Sequence, residues 1–287
     1  MPLDDVRARA ELARFGGVWL TPGPDGRPPY RSLRLLTAEV RALAGATVVV
    51  ALLVAISSVL GLLQHRDRFS SFRVDQTDAA TFTGRLQWLM AALIVASALA
   101  FIVWATRAYR NLPLLAVKGL RIPTRWAWTV WFVPFGNLIW GKELVDDVYR
   151  ASDPSAPVLS PGWRLRTVPM RVHLWWISVM ASGVLLLTAH WMSPSPAGGA
   201  EVGGAALGLI AAAHFSIATA AALTALLVTE VATRQRRRVA HLGVAGPASR
   251  SGDLASPATP RRSDPEPRFE QVPVLVHADS GSVAGRY

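Results

Sequence analysis

The sequence predicts an all-α, polytopic integral membrane protein, and three observations predict it. Of its 287 residues, 51% are hydrophobic and only 17% charged. The apolar residues are gathered into four charge-free blocks of at least 21 residues each, instead of recurring in strand or amphipathic-helix periods. About 20 helical residues cross ~30 Å of hydrocarbon, so every block is long enough to span. The third observation is that the basic residues flank the blocks unevenly, which orients them.

Residues 1–41 read as a cytoplasmic N-terminal segment. The first 20 suit a short, weakly amphipathic helix ended by Gly16 and Gly17, and "TPGPDGRPP" after it reads as a linker. A helical membrane domain follows over 42–240, with spans at 42–63, 86–106, 172–192 and 204–229. The first block comes after 41 mostly polar residues and is too long for a signal peptide, so it reads as a permanent span. The absence of cysteine excludes disulfides, thiolate catalysis and thiolate metal sites. A formal charge of +11 invites a nucleic-acid reading, but most of that charge flanks the apolar blocks, and no nucleic-acid partner is expected.

Residues 126–141 decide the wiring. If they formed a fifth span, 12 Lys and Arg would face inward and 13 outward near the spans, against the inside preference of basic residues. If they do not cross, the count is 21 inward and 4 outward, with both termini cytoplasmic. These 16 uncharged residues reach only about 24 Å as a helix and contain Pro134, Gly136 and Asn137. Proline disfavours helix at Val133, glycine supplies a bend, and asparagine bonds a turn backbone or caps the next helix. The segment is therefore expected to be a re-entrant or interfacial hairpin in a cell-membrane protein.

Over 142–151, Leu144, Val145, Val148 and Tyr149 alternate with charges in steps of three and four. This predicts an amphipathic helix along the cytoplasmic face, with Lys142–Asp146 and Asp146–Arg150 spaced for ion pairs. Trp126, Trp128, Trp131 and Trp140 suit the interface, as do Trp104, Trp175 and Trp176 at inner ends and Trp88 and Trp191 at outer ends. Residues 241–287, rich in Pro, Ser, Gly and Ala, read as a disordered cytoplasmic tail. Its one apolar run, "VPVLV" at 272–276, is either a short docking motif or incidental.

The order of these parts carries a resemblance. A span ending in "VWATRAYRNL", then "RWAWTVWFVPFGNLIWGKELVDDVYRASDP", then two further spans, resembles the bacterial membrane family catalogued as domain of unknown function 4328, over about Tyr30 to Glu230. The motifs are Arg107, Arg110 and Asn111; Trp131, Phe132, Pro134, Asn137 and Leu138; and a helix ending in Tyr149, Arg150, Ala151 and Ser152, where such sequences often place Trp instead of Tyr149. The resemblance implies a multi-span membrane protein and no particular chemistry.

The candidate site is an inner-face polar cluster: Arg107, Arg110 and Asn111 at the end of the second span, Asn137 at the bend, and Glu143, Asp146 and Asp147 on the following helix. Its arginines suit an anionic lipid headgroup or an acidic partner segment. The plainer reading is that they snorkel and pair with the carboxylates. Gly204, Gly208, Ala212, Ser216, Ala220 and Thr224 form a stripe of small residues that lets a helix approach, within the bundle or in a homo-oligomer. Arg234, Arg236, Arg237 and Arg238 read as an anionic-lipid contact, with Glu230 and Arg234 paired.

His173 and His190 stand about 25 Å apart on one helix, and His214 is expected neutral and bonded to a hydroxyl or carbonyl. No Gly-x-Ser-x-Gly, His-Glu-x-x-His or phosphate loop occurs. The expected function is that of a non-enzymatic scaffold or regulatory protein without cofactor or metal, acting through membrane lipids and through protein partners of its tail. A small transporter or channel is the alternative.

Overall fold

The computed structural model describes residues 17–20, 29–66, 76–192 and 204–245. The expected N-terminal helix and linker, most of the loop after the first span, the turn at 193–201 and the tail with its 272–276 run lie outside the described residues. Four long helices carry the fold: α1 (Arg34–Arg66), α2 (Gln76–Asn111), α4 (Met170–Met192) and α5 (Gly204–Leu242), with the short α3 (Lys142–Ala151) between the second and third. All four are long and apolar enough to cross a membrane. Between 17% and 39% of their most apolar windows is buried within the protein, so most of that apolar surface is left for lipid.

All four long helices extend past the expected spans, α4 by two residues. The charge-free window marks the hydrocarbon, whereas the helical hydrogen-bond ladder continues through Ala, Leu, Glu and Arg, all good helix formers, on either side. At the end of α5, Gly243 adopts φ 74°, the left-handed conformation that closes helices and favours glycine. Its carbonyl accepts from Val18 N–H at 2.9 Å, and Val18–Trp19 then pairs in parallel with Val244–Ala245. The segment before α1 and the segment after α5 are thus fastened at one end of the bundle, here called the base.

That base holds the main core: Trp104, Tyr109, Leu112 and Leu115 of α2 and its exit, Leu144 and Val148 of α3, Trp163, and Val228 and Val231 of α5. A smaller cluster of Val50, Val54, Met90 and Ile217 lies farther along the helices. Buried polar groups stitch the base together. Asn111 Nδ2 donates to Arg31 O at 2.9 Å and to Gln235 Oε1 at 3.2 Å, while Gln235 Nε2 donates to Ala108 O at 3.0 Å and Ser152 Oγ at 3.2 Å. These bonds join the entry to α1, the end of α2, the end of α3 and α5.

The segment from Ile122 to Gly141 leaves the base and returns to it. Tyr109 Oη donates to Ile122 O at 2.7 Å and Thr106 Oγ1 to Ala127 O at 3.3 Å; then Trp131 meets Phe101 edge to face. The chain therefore climbs α2 from the level of residue 109 to that of residue 101 through two short 3-10 turns, Thr124–Trp126 and Thr129–Trp131. The apex falls within the expected Pro134, Gly136 and Asn137 bend, with Gly136 N–H bonded to Pro134 O and the intervening Phe135 at φ 59°. A side chain at Gly136 would meet Trp140 at 2.7 Å and Val133 at 2.9 Å, so the close approach requires glycine. One wide turn, Asn137–Gly141, leads back into α3.

The helix over Lys142–Ala151 has the expected limits and a different seat. Leu144, Val145, Val148, Tyr149 and Ala151 are buried, and so are Asp146 and Asp147, so α3 is enclosed by the base on most of its circumference. Lys142 and Asp146 pair at 2.7 Å as expected; the Asp146–Arg150 pair is not seen. Replacing Gln235 by Leu should lower unfolding stability by about 3 kcal/mol, because Ala108 O, Ser152 and Asn111 lose buried partners. Thermal unfolding of the purified protein in detergent measures this.

Candidate functional site

The expected inner-face cluster is divided among three places. Arg107 and Arg110 line a pocket of about 670 Å³ at the base with Arg31 and Arg125, walled by Val103, Leu114 and Trp128. Asn111 also borders it, but its amide is spent on Arg31 and Gln235, so its role is to hold the backbone of Arg31 in place. Asn137 lies elsewhere, on a crevice of about 450 Å³ among the four long helices that Thr47, Phe101, Trp175 and Trp176 also line. Glu143, Asp146 and Asp147 form the third group, on α3.

No carboxylate lines the arginine pocket, and among the described residues none of its four arginines forms an ion pair. Arg110 Nε donates weakly to Thr124 O at 3.5 Å, and Arg107 Nε is enclosed without a hydrogen-bond partner. Sequence proximity shows Arg107 and Arg110 as neighbours one helical turn apart. Arg31 and Arg125 come from other segments, and only the fold brings them in.

The acidic group is accounted for by other cations. Asp147 is fully enclosed, with Arg121 Nε at 3.5 Å, and the same Arg121 reaches Glu143 at 3.6 Å. Arg121 precedes the hairpin and Asp147 follows it, so this contact closes the hairpin at its base. Burial raises the Asp147 carboxyl from 3.8 to about 6, opposed by the charges of Arg121, Arg150 and Arg164.

A second polar network crosses from α3 to α4 and α5. Tyr149 Oη donates to Glu230 Oε1 at 2.7 Å and accepts from Arg171 at 2.7 Å and Arg234 at 2.8 Å, with the Arg234 guanidinium over its ring at 4.2 Å. Glu230 pairs with Arg171 and, as expected, with Arg234. Asp153 pairs with Arg166 at 3.2 Å and Arg234 at 3.5 Å. Burial pushes the Asp153 carboxyl up, but the Ser155 hydrogen bonds and these two arginines hold it below the usual range. Tyr149 is thus the hub of a network that a Trp at this position would hold differently.

The run Arg234 to Arg238 does not present one basic face. Arg236 and Arg237 are exposed, whereas Arg234 is engaged by Glu230 and Asp153. Arg238 is buried, donating to Leu115 O at 2.9 Å, Asp153 O at 2.6 Å and Ala156 O at 3.2 Å. It is a structural tie between α5 and two loops, because helical spacing turns residue 238 inward towards the carbonyls of Leu115, Asp153 and Ala156. In the small-residue stripe, Ser216 donates to Ser178 O at 2.9 Å, Thr224 accepts from Trp175 at 2.9 Å and Ala220 is buried, so this half packs within the bundle; Gly204 and Gly208 are half-buried and Ala212 is exposed. His214 Nδ1 lies 2.7 Å from Ile210 O, the expected carbonyl contact.

A family described as domain of unknown function (DUF4328) matches residues 66–233, more than half of the chain, and the chain belongs to that family. The match takes in the hairpin, α3, Arg107, Arg110 and Arg125, and leaves most of α1 and Arg31 outside. No curated protein and no solved structure matches.

Because the folded-state carboxyl of Asp147 is raised, the fold binds a proton that the unfolded chain has released between pH 3.8 and about 6. Its contribution to stability therefore falls as pH climbs through that window and is level above it. Asp147→Asn should gain on the parent protein from pH 4.5 to 7, by up to ~3 kcal/mol, in paired melting curves. Tyr149→Phe retains the ring and loses the hydroxyl; with Glu230, Arg171 and Arg234 each losing a partner, unfolding stability should drop by about 1–3 kcal/mol.

Proposed function

We propose that this family member is a non-enzymatic scaffold or regulatory protein of the cell membrane, with its base facing the cytoplasm and its hairpin dipping into the inner leaflet. It acts there through anionic lipid headgroups and through protein partners of the tail at 241–287. The observation that carries this reading is the return of the hairpin to the level it left, with Arg121 and Asp147 in contact across its two ends. A segment with that path does not change sides, so an even number of crossings leaves both flanks of the bundle together. The distribution of basic residues, 21 against 4, supports a base that faces inside.

The hairpin surface supports membrane insertion. Phe135 is 83% exposed at the apex, and Phe132, Ile139 and Trp140 beside it in sequence and Trp126 in the first turn are exposed. Such a patch is disfavoured in water and suited to the headgroup and acyl boundary, where tryptophan is also favoured. Arg236 and Arg237, exposed at the base, suit the anionic surface of the same leaflet.

A second reading, a small transporter, has the crevice among the four long helices in its favour. No charged residue lines it; Thr47 and Ser97 bond each other at 2.9 Å and Ser182 and Thr224 bond carbonyls of their own helices, which leaves the Asn137 amide and the unpartnered Trp131 Nε1 among the polar groups offered to a solute. Flux into liposomes holding the purified protein, abolished by Asn137→Ala, would put this reading first.

The leading reading is tested by a single cysteine at Phe135 carrying a nitroxide. In reconstituted protein, collisions with oxygen should exceed those with a water-soluble nickel chelate, as for a site inside the bilayer. Preferential collision with the chelate would place the apex in water and contradict the reading.

A further inference from the structure

We infer that the arginine pocket at the base is a binding site for a phosphate-bearing anion, supplied by an anionic phospholipid headgroup or by a free phosphate compound. Four arginines line it from three stretches of chain: Arg31 ahead of α1, Arg107 and Arg110 on α2, and Arg125 in the first turn of the hairpin. At the same end of the molecule Arg121, Arg166, Arg171 and Arg234 each hold a carboxylate. The four pocket arginines hold none among the described residues, and no acidic side chain lines the 670 Å³ between them. Gathering like charges without a counter-charge is unfavourable, and an anion placed among them reverses the sign of that energy. Arginine suits phosphate in particular, because its planar fork donates two parallel hydrogen bonds to one anionic group.

The scaffold holds this arrangement ready. Asn111 accepts from Arg31 N–H and donates to its carbonyl, which fixes the start of α1 against the end of α2. Thr106 donates to Ala127 O and so fixes the hairpin turn that carries Arg125. Arg107 Nε is enclosed and has no partner, so a donor is left unspent at this site. The remaining wall is apolar: Val103, Leu114, Pro113 and the half-exposed Trp128. A headgroup among the arginines would leave its glycerol and first methylenes against these side chains, the arrangement of basic pockets between spans at the cytoplasmic side. The inference rests on the proposed function, which puts the base in contact with an anionic leaflet.

The test uses the full-length protein in a neutral detergent. Phosphatidylglycerol retained on the protein is counted by native mass spectrometry, and protection by inorganic phosphate is read from thermal unfolding in parallel. The pocket variant is Arg107→Gln, Arg110→Gln, Arg125→Gln together; Arg125→Gln alone, in an exposed turn, serves should the triple variant not fold. Arg34→Gln with Lys118→Gln removes exposed charge at the same end, away from the pocket lining and from the proposed lipid contact of Arg236 and Arg237, and is the control. Weakening of about a hundredfold in the triple variant and severalfold in the single one, with the control unchanged, supports the site. If the lipid shows the loss, the source is the membrane; if inorganic phosphate alone shows it, the source is a soluble phosphate. Equal binding of both probes by pocket variants and parent overturns the inference, as does an equal loss in the control. The nitroxide at Phe135, read in the same variants, separates the two failures: an apex that stays in the bilayer while binding is unchanged sinks the pocket alone.

Discussion

The structure depends on a closed hairpin. Arg121 and Asp147 stand before and after a long stretch of mostly non-α backbone and lie 3.5 Å apart. Backbone polar groups away from water must be satisfied within the protein, and only a helix does this along a single lipid-exposed segment. The hairpin meets the requirement by leaning on α2: Tyr109 and Thr106 bond its carbonyls, and its own turns supply the rest. Proline at 134 makes a straight crossing unfavourable, glycine at 136 permits the tight approach of Trp140, and the chain is returned to its starting level.

Once the hairpin returns, the base becomes the place where every segment meets. The entry to α1, the end of α2, the hairpin, α3 and the last turns of α5 all contribute, which is why the larger core and most of the buried polar groups lie there. The ties are polar but not repetitive. Gln235 points inward from α5 to a carbonyl in the last turn of α2 and Arg238 to carbonyls of two loops, and Tyr149 gathers charges from α4 and α5. Away from the base the helices touch through small residues and a modest apolar cluster, leaving wide lipid-facing surfaces.

Much of this was legible in the sequence because the governing signals are long or local. Charge-free blocks announced the four spans, Pro134 to Asn137 announced the bend, and the three-and-four spacing fixed α3 to the residue. The burial of α3 was not legible: Asp146 and Asp147 read as a solvent face, whereas Lys142 and Arg121 neutralise them inside. The same limit applied to the arginines. A run such as Arg234 to Arg238 carries no mark of which member turns inward, and residue 238 does so only because carbonyls of two distant loops lie there. The pocket was half legible, since Arg107 and Arg110 are neighbours on one helix while Arg31 and Arg125 arrive through tertiary folding.

The central claim is that the hairpin comes back to its own side, leaving the loop after α3 on the face that also carries the flanks of α1 and α5. One cysteine at the exposed Ser155 tests it, since no native cysteine competes. A membrane-impermeant maleimide should leave this cysteine unmodified in intact expressing cells and modify it once the membrane is opened. Modification in intact cells would mean that the segment crosses, and would contradict the account.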